Sequence, residues 1–356
     1  MGNTIQDQDS EECQIQKNLF NFECPIGRGG YGKVWKVELK KTKQCFAMKE
    51  MSKFRVIRKK SVSSILNERK LLSIIKHPFV VNMQYAFQDK ENLYLVMDLM
   101  TGGDLRYHIC KTRRFTESQA KFFTACIFSG LEYLHVLGII HRDIKPENLV
   151  FDKKGYLRIT DFGIARLISS DNSKETSGTP GYMAPEVMCK RNHGIAVDYF
   201  ALGVIVYELM MGKRPYTGRN RNDIKEQALS KQILLKKSDL PAGWSIESAD
   251  FVNKLLQRKP ENRLGTNGPS EVKNHVWLSD VQWSSLFAKT LVSPFIPSNS
   301  ENFNASSQFD FKEELDGFIP LDSIDEIFKG YFYNQHSGEY KPETTQSFRG
   351  KNRSWL

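Results

Sequence analysis

The chain changes texture once, and that change limits its fold more than any composition figure does. From Phe22 onward, short apolar and β-branched runs alternate with glycine and charge, as in Val34-Trp35-Lys36-Val37, Cys45-Phe46-Ala47-Met48 and Leu93-Tyr94-Leu95-Val96-Met97. Such runs suit strands. One helical stretch, Ser64 to Ile75, interrupts them with apolar residues at helical spacing. After Gly102-Gly103 the pattern turns helical, with long apolar-periodic segments at Ala120 to Leu137 and Val197 to Met211. A β-rich part joined by a glycine pair to a mainly helical part predicts an α+β protein with two lobes and a ligand cleft between them.

Around this body the sequence predicts two tails. Residues 1 to about 20 are polar and rich in Gln and Asp, which suits a tail more than a core. Past about Phe287 the chain becomes rich in Ser, Asn and Phe, spaced by Pro294, Pro297 and Pro320. Isolated Phe residues in polar sequence need somewhere to dock, so this segment reads as a tail laid on a surface. No run approaches the ~18 apolar residues of a spanning helix. The cysteines, Cys13, Cys24, Cys45, Cys110, Cys126 and Cys189, lack CxxC spacing, which favours buried thiols in a reducing, cytoplasmic setting over disulfides or zinc.

An excess of 51 Lys and Arg over 41 acidic residues gives a formal charge of +10, favouring anionic partners without choosing among them. The densest basic run, Lys53 to Lys60, lacks the interleaved aromatics of a single-strand binder and reads as a solvated face, so no specific nucleic-acid partner is expected. Gly2 follows the initial Met, but Gln6 stands where a myristoylation signal needs Ser or Thr. Weak membrane contact at most is expected, because one acyl chain anchors marginally.

Three motifs carry chemistry. Gly27-Arg28-Gly29-Gly30-Tyr31-Gly32 precedes a strand rather than a helix, so its glycines close an antiparallel hairpin whose backbone N–H groups can approach phosphate oxygens. Lys49 ends the next strand, and Glu68 shares the helical stripe of Ile65 and Leu72. A buried carboxylate demands a cation, and Lys49 is the candidate. The most specific stretch is His141-Arg142-Asp143-Ile144-Lys145-Pro146-Glu147-Asn148, followed by Asp161-Phe162-Gly163 and then Ala184-Pro185-Glu186. Its residue types suit a proton acceptor, a cation and hard oxygen ligands for magnesium.

In this order and spacing, residues 21 to 280 resemble a eukaryotic protein kinase domain. Leu99 to Asp104, Gly178 to Glu186 and Ser293-Pro294-Phe295-Ile296-Pro297 further resemble the AGC group of serine/threonine kinases, nearest to its YANK branch. The resemblance implies an N-lobe at 21–97 with one key helix, a hinge at 98–103, a C-lobe at 104–280 and an AGC-type tail at 281–356. It implies a monomeric, ATP-dependent enzyme using Mg2+, with Mn2+ as a substitute, that phosphorylates protein serine and threonine hydroxyls. Asp143 would be the base, and Lys145 would offset phosphoryl charge. Lys49, paired with Glu68, would hold the α- and β-phosphates, and Asn148 and Asp161 would ligate metal. Ile26, Gly27, Gly29, Gly32, Val34, Ala47, Met97, Asp98, Met100, Asp104 and Val150 would surround the nucleotide, with Phe162 packed beneath the metal loop and Gly163 in an unusual backbone conformation. Glu186 would pair with Arg263, Asp198 would brace the catalytic loop, and Tyr199, in place of the usual Trp, would alter packing only. Lys145 and Thr179 mark the serine/threonine type.

Two regulatory positions depart from the pattern. Arg142 calls for an anion from the activation loop, where relatives carry a phosphothreonine; here Glu175 stands at that position, with Thr176 as a rival. Phe328-Lys329-Gly330-Tyr331-Phe332-Tyr333 resembles the tail's hydrophobic motif with Phe332 at the phosphorylatable site, and would dock on the small lobe. Asp104, Glu147 and Glu208 match acidic positions that read basic residues upstream of the acceptor. The competing reading is a pseudokinase, which usually lacks one of Lys49, Glu68, Asp143, Asn148 or Asp161; all five are present.

Overall fold

A computed structural model describes residues 15–297 and 326–336. The described chain divides into two compact units, one holding 15–60, 83–97 and 326–336, the other 61–82 and 98–297. The first is built on a sheet and the second is mainly helical, the α+β make-up the sequence predicts. The helix read at 64–75 falls in the second unit.

In the sheet unit, β1 (Phe20–Gly29), β2 (Gly32–Leu39) and β3 (Cys45–Ser52) form an antiparallel meander, joined by β4 (Met83–Gln88) and β5 (Asn92–Asp98). A short strand, Tyr333–Asn334, completes the order β1-β2-β3-β5-β4 on the free side of β4. Alternation explains the two faces. Val37, Phe46 and Met48 join Phe20, Tyr85, Phe87, Tyr94 and Val96 in an apolar core. Val34, Ala47 and Lys49 take the intervening positions, and Gly27 and Lys49 both pair with Val34 in register. Three residues expected at a nucleotide thus follow one another across adjacent strands.

Two expectations hold only in part. The chain is already packed before residue 20: Ile15 and Leu19 lie against the core, and Lys17 reaches Glu50 at 3.1 Å. The basic run is a solvated face only at its end, where Arg58, Lys59 and Lys60 are exposed. Ser52 caps a helix, α1 (Lys53–Arg58), by accepting a hydrogen bond from the Arg55 N–H. Lys53 is buried, with Nζ 5.9 Å from the Phe328 ring, and the Lys59 ammonium donates to the Gly30 carbonyl. Long lysine stems cover apolar surface while their heads find polar partners, which composition alone does not reveal.

The aromatic cluster near the carboxyl end is docked. Phe328 and Tyr331 are fully buried, Gln88 Nε2 donates to the Phe328 carbonyl at 2.8 Å, and Tyr333 pairs with Ala86. Phe332 is only half-buried. Gly2, Gln6 and Pro320 lie outside the described residues.

The helical unit begins with α2 (Val62–Ile74), followed by α3 (Leu105–Thr112) and α4 (Glu117–Val136). Thr116 and Gln119 form a reciprocal capping box at the start of α4. Two short antiparallel pairs follow: β6 (Ile139–Ile140) with β9 (Arg166–Leu167), and β7 (Leu149–Phe151) with β8 (Leu157–Ile159). Residues 141–148 therefore run between two anchored strands. Beyond them come α5 (Pro185–Met188) and α6 (Ala196–Met211), apolar nearly all round and buried along its length. Phe295 docks edge-on against His108, Phe115 and Phe123, as the isolated Phe of a surface-laid tail requires. Gly102 owes its place to this packing, because a Cβ there would lie 2.6 Å from both Phe151 and Pro297.

Candidate active site

The loop from His141 to Asn148 is held by a buried carboxylate. Asp198, on α6, accepts from the N–H groups of His141 at 3.0 Å and Arg142 at 2.8 Å. This lets Arg142 keep a left-handed φ of 68°, a conformation costly for a non-glycine residue. Burial pushes the Asp198 carboxyl upward, but hydrogen bonds, foremost from His135, outweigh it and hold the group below its usual range. His135 lies between Asp198 (2.9 Å) and the Tyr199 hydroxyl (3.2 Å). Tyr199 thus does more than alter packing: its hydroxyl adds a polar link that orients His135. His135 itself had no sequence signal, being one histidine on an apolar helix.

On this support Asp143 collects three donors. Its Oδ2 accepts from Lys145 Nζ at 2.6 Å and Asn148 Nδ2 at 3.1 Å, and its Oδ1 accepts from the Thr179 hydroxyl at 2.8 Å. Lys145 Nζ also reaches the Thr179 oxygen at 3.0 Å. Asn148 makes a second bond to the Asp143 carbonyl, again through its amide nitrogen, so neither bond uses the side-chain oxygen. Asp161 is exposed and accepts from Gly163 N–H through Oδ1. The unusual backbone of this triplet lies at Asp161, with φ of 65°, and not at Gly163 as expected. Phe162 is buried edge-on against His141.

The other expected nucleotide residues are distributed as follows. Gly29 and Gly32 close the β1–β2 hairpin, and a Cβ on Gly32 would lie 1.9 Å from the Glu50 carbonyl oxygen. Ile26 falls within a register shift of β1, where the strand bulges between Pro25 and Gly27. Met97 is half-buried near the end of β5, and Glu68 is buried on α2. The Asp98 carboxylate turns toward Arg158 (2.7 Å) and Asn82 (3.0 Å), and its backbone N–H donates to the Asn82 carbonyl at 3.1 Å. Asp104 caps α3 by accepting from Tyr107 N–H at 2.8 Å, and burial raises its pKa. Its backbone also bridges that of Val150, which is half-buried like Met100.

The activation segment is tied to the loop through Arg142. Its Nη1 donates to Glu175 Oε2 at 2.9 Å and its Nε to the Ile164 carbonyl at 2.8 Å. The Arg142 bond holds the Glu175 carboxyl below its usual range. The Thr176 carbonyl accepts from Arg221 at 3.5 Å. Further along, Arg263 grips Glu186 with both terminal nitrogens, at 2.7 and 3.0 Å, the pairing the resemblance implies.

Sequence reasoning missed Arg106, which occupies two of the three acidic positions expected to read substrate. Its Nε donates to Glu147 at 2.9 Å and its Nη1 to Glu208 at 2.8 Å, and its Nη2 reaches the Tyr182 hydroxyl. Its position two residues after Asp104 was visible; its reach was not, because these partners meet only through tertiary packing.

Among the described residues no cluster of three His, Cys, Asp or Glu could hold a metal, and no helix is long and apolar enough to cross a membrane. Residues 20–278 match the protein kinase domain family. A probable serine/threonine-protein kinase of Dictyostelium discoideum is 37% identical over 91% of this chain and 72% of its own length. Serine/threonine-protein kinase Sgk2 of Homo sapiens is also 37% identical, over 79% of this chain and 77% of its own. The cAMP-dependent protein kinase catalytic subunit of Dictyostelium discoideum is 36% identical over 86% of this chain but 47% of that protein. With the loop, the braced Asp143 and the Glu186–Arg263 pair in place, the chain belongs to the protein kinase family, as a serine/threonine kinase of the AGC type.

Proposed function

We propose that this kinase transfers the γ-phosphoryl group of Mg-ATP to serine or threonine hydroxyls of proteins, with Asp143 as the proton acceptor. The observation that carries this is the convergence of Lys145, Asn148 and Thr179 on Asp143. One carboxylate oxygen is aligned by Lys145 and Asn148, and the other faces a threonine hydroxyl, the same kind of group a substrate would present. A substrate hydroxyl taking the place of that contact would sit within reach of a base whose orientation is already fixed. Lys145, close to the same point, would offset charge on the transferring group.

The residues also fit a magnesium ion. Asp161 and the uncommitted oxygen of Asn148 are hard donors, and magnesium binds through one or two carboxylates with substrate phosphates completing its shell. That fits a site without a three-residue protein cluster. Bound there, the metal would neutralise phosphate charge. Gly27, Val34 and Lys49 follow one another across β1, β2 and β3, which suits a loop whose N–H groups cradle phosphates above a lysine.

The basic upstream preference read from Asp104, Glu147 and Glu208 gains no support from this geometry, since Arg106 already engages two of the three. A cytoplasmic monomer, with Mn2+ able to replace Mg2+, completes the proposal. Incubating the full chain with radiolabelled ATP and a serine/threonine peptide mixture tests the core of it. Phosphoserine and phosphothreonine should form only when a divalent cation is present, and Asp161→Ala should lose most of that incorporation. Incorporation on tyrosine, or none from the wild type, would refute the proposal.

A further inference from the structure

The Arg106 cluster lies beside the reacting centre. Glu147 is four residues from Asp143 on the same loop, and Tyr182 lines a pocket together with Asp143 and Thr179. Glu208 is almost fully buried, on α6, and Arg106 is its ion-pair partner at 2.8 Å with a second contact at 3.3 Å. Tyr182 donates its own hydroxyl proton to the same carboxylate. Burial opposes the charge on Arg106, but the Glu208 hydrogen bond and the neighbouring acidic groups overcome it and hold the guanidinium protonated. Burial and Glu208 likewise keep Tyr182 in its neutral form.

A substrate arginine or lysine seeking these carboxylates would have to displace an intramolecular, forked guanidinium. Arg106 gives up less freedom than an incoming side chain and makes charge-assisted bonds to both acids. Displacing it would also strand a cation of the enzyme's own beside the incoming one. Resting on the kinase reading above, we infer that Arg106 is a built-in occupant of the carboxylate subsite. It is the specificity-determining residue that makes this enzyme accept serine and threonine segments without a basic residue upstream. The expectation of a basophilic kinase is thereby reversed at one position, although Glu147 and Glu208 are both retained.

The test uses the full-length protein and an oriented Ser/Thr peptide library with radiolabelled ATP. Total incorporation reports whether the protein is a serine/threonine kinase at all; the ratio of arginine to alanine peptides at each upstream position reports the inference. For the wild type that ratio should stay within about twofold of unity. Arg106→Gln, which keeps a donor for buried Glu208, should raise it roughly five- to tenfold at one upstream position, through KM. Arg106→Leu should do the same. A wild type that strongly selects upstream arginine overturns the inference without need of any variant, and so does a folded variant whose ratio stays flat. Absence of incorporation from the wild type would instead remove the kinase reading.

Discussion

At the residue scale, the site is defined by how its side chains are held. Asp143 is set by three donors, and the loop beneath it by Asp198, whose own position rests on His135 and Tyr199. Replacing Tyr199 with Phe keeps the ring and removes one link, so kcat should fall a few-fold with KM for ATP little changed, by roughly the 0.5–1.5 kcal/mol of one hydrogen bond. An unchanged kcat would return Tyr199 to a packing role. Glu175 is the second residue-scale prediction. It neutralises an Arg142 side chain that is 4% exposed, but is itself 41% exposed. Glu175→Ala should therefore lower kcat roughly three- to tenfold, the smaller figure reflecting solvent screening. If phosphatase treatment silences the wild type and Thr176→Glu restores it, the anion comes from Thr176 instead.

At the element scale, the segment containing Phe328 is held by burial and by a strand pairing to β4. The aromatic cluster was legible because aromatic residues in polar sequence seek a surface. Its pairing partner was not, since a two-residue strand carries no period. Phe328→Ala should destabilise this docking by up to about 3 kcal/mol, seen as faster proteolytic cleavage near Lys329 and a lower melting midpoint. Cleavage as slow as in the wild type would show that the segment contributes nothing. The basic helix α1 teaches the converse lesson. Charge density pointed to solvent, whereas Lys53 and Val56 are buried, because burial of a lysine stem depends on what packs over it and not on local composition. The loop from His141 to Asn148 carried the stronger signal, because each of its residues has a distinct chemical type at a fixed spacing, and few alternatives satisfy that spacing.

At the scale of the whole molecule, the two-part division follows from hydrophobic period and α6 from a near-continuous apolar run, and both survive any detail of packing. What period cannot show is which polar groups meet, and that is where Arg106, His135 and the burial of His77 were missed. His77 stacks on Tyr133 at 4.6 Å and accepts from Phe79 N–H, and burial, aided by the Lys289 charge, lowers its pKa from 6.5 to about 4. A folded-state value below the unfolded one means that the unfolded chain takes up the proton first. Its contribution to stability is therefore full above pH 6.5 and lost as pH falls toward about 4. Melting midpoints should drop more over that interval for the wild type than for His77→Gln; parallel curves would contradict the assignment. The proposed role of Asp143 as the base of a phosphoryl transfer follows from its three donors. It is tested most directly by comparing turnover of wild type and Asp143→Asn on one serine peptide, with ATP binding measured alongside. Asp143→Asn should lose about a hundred- to ten-thousand-fold in kcat with ATP still bound; turnover at the wild-type rate would show that Asp143 is not the base.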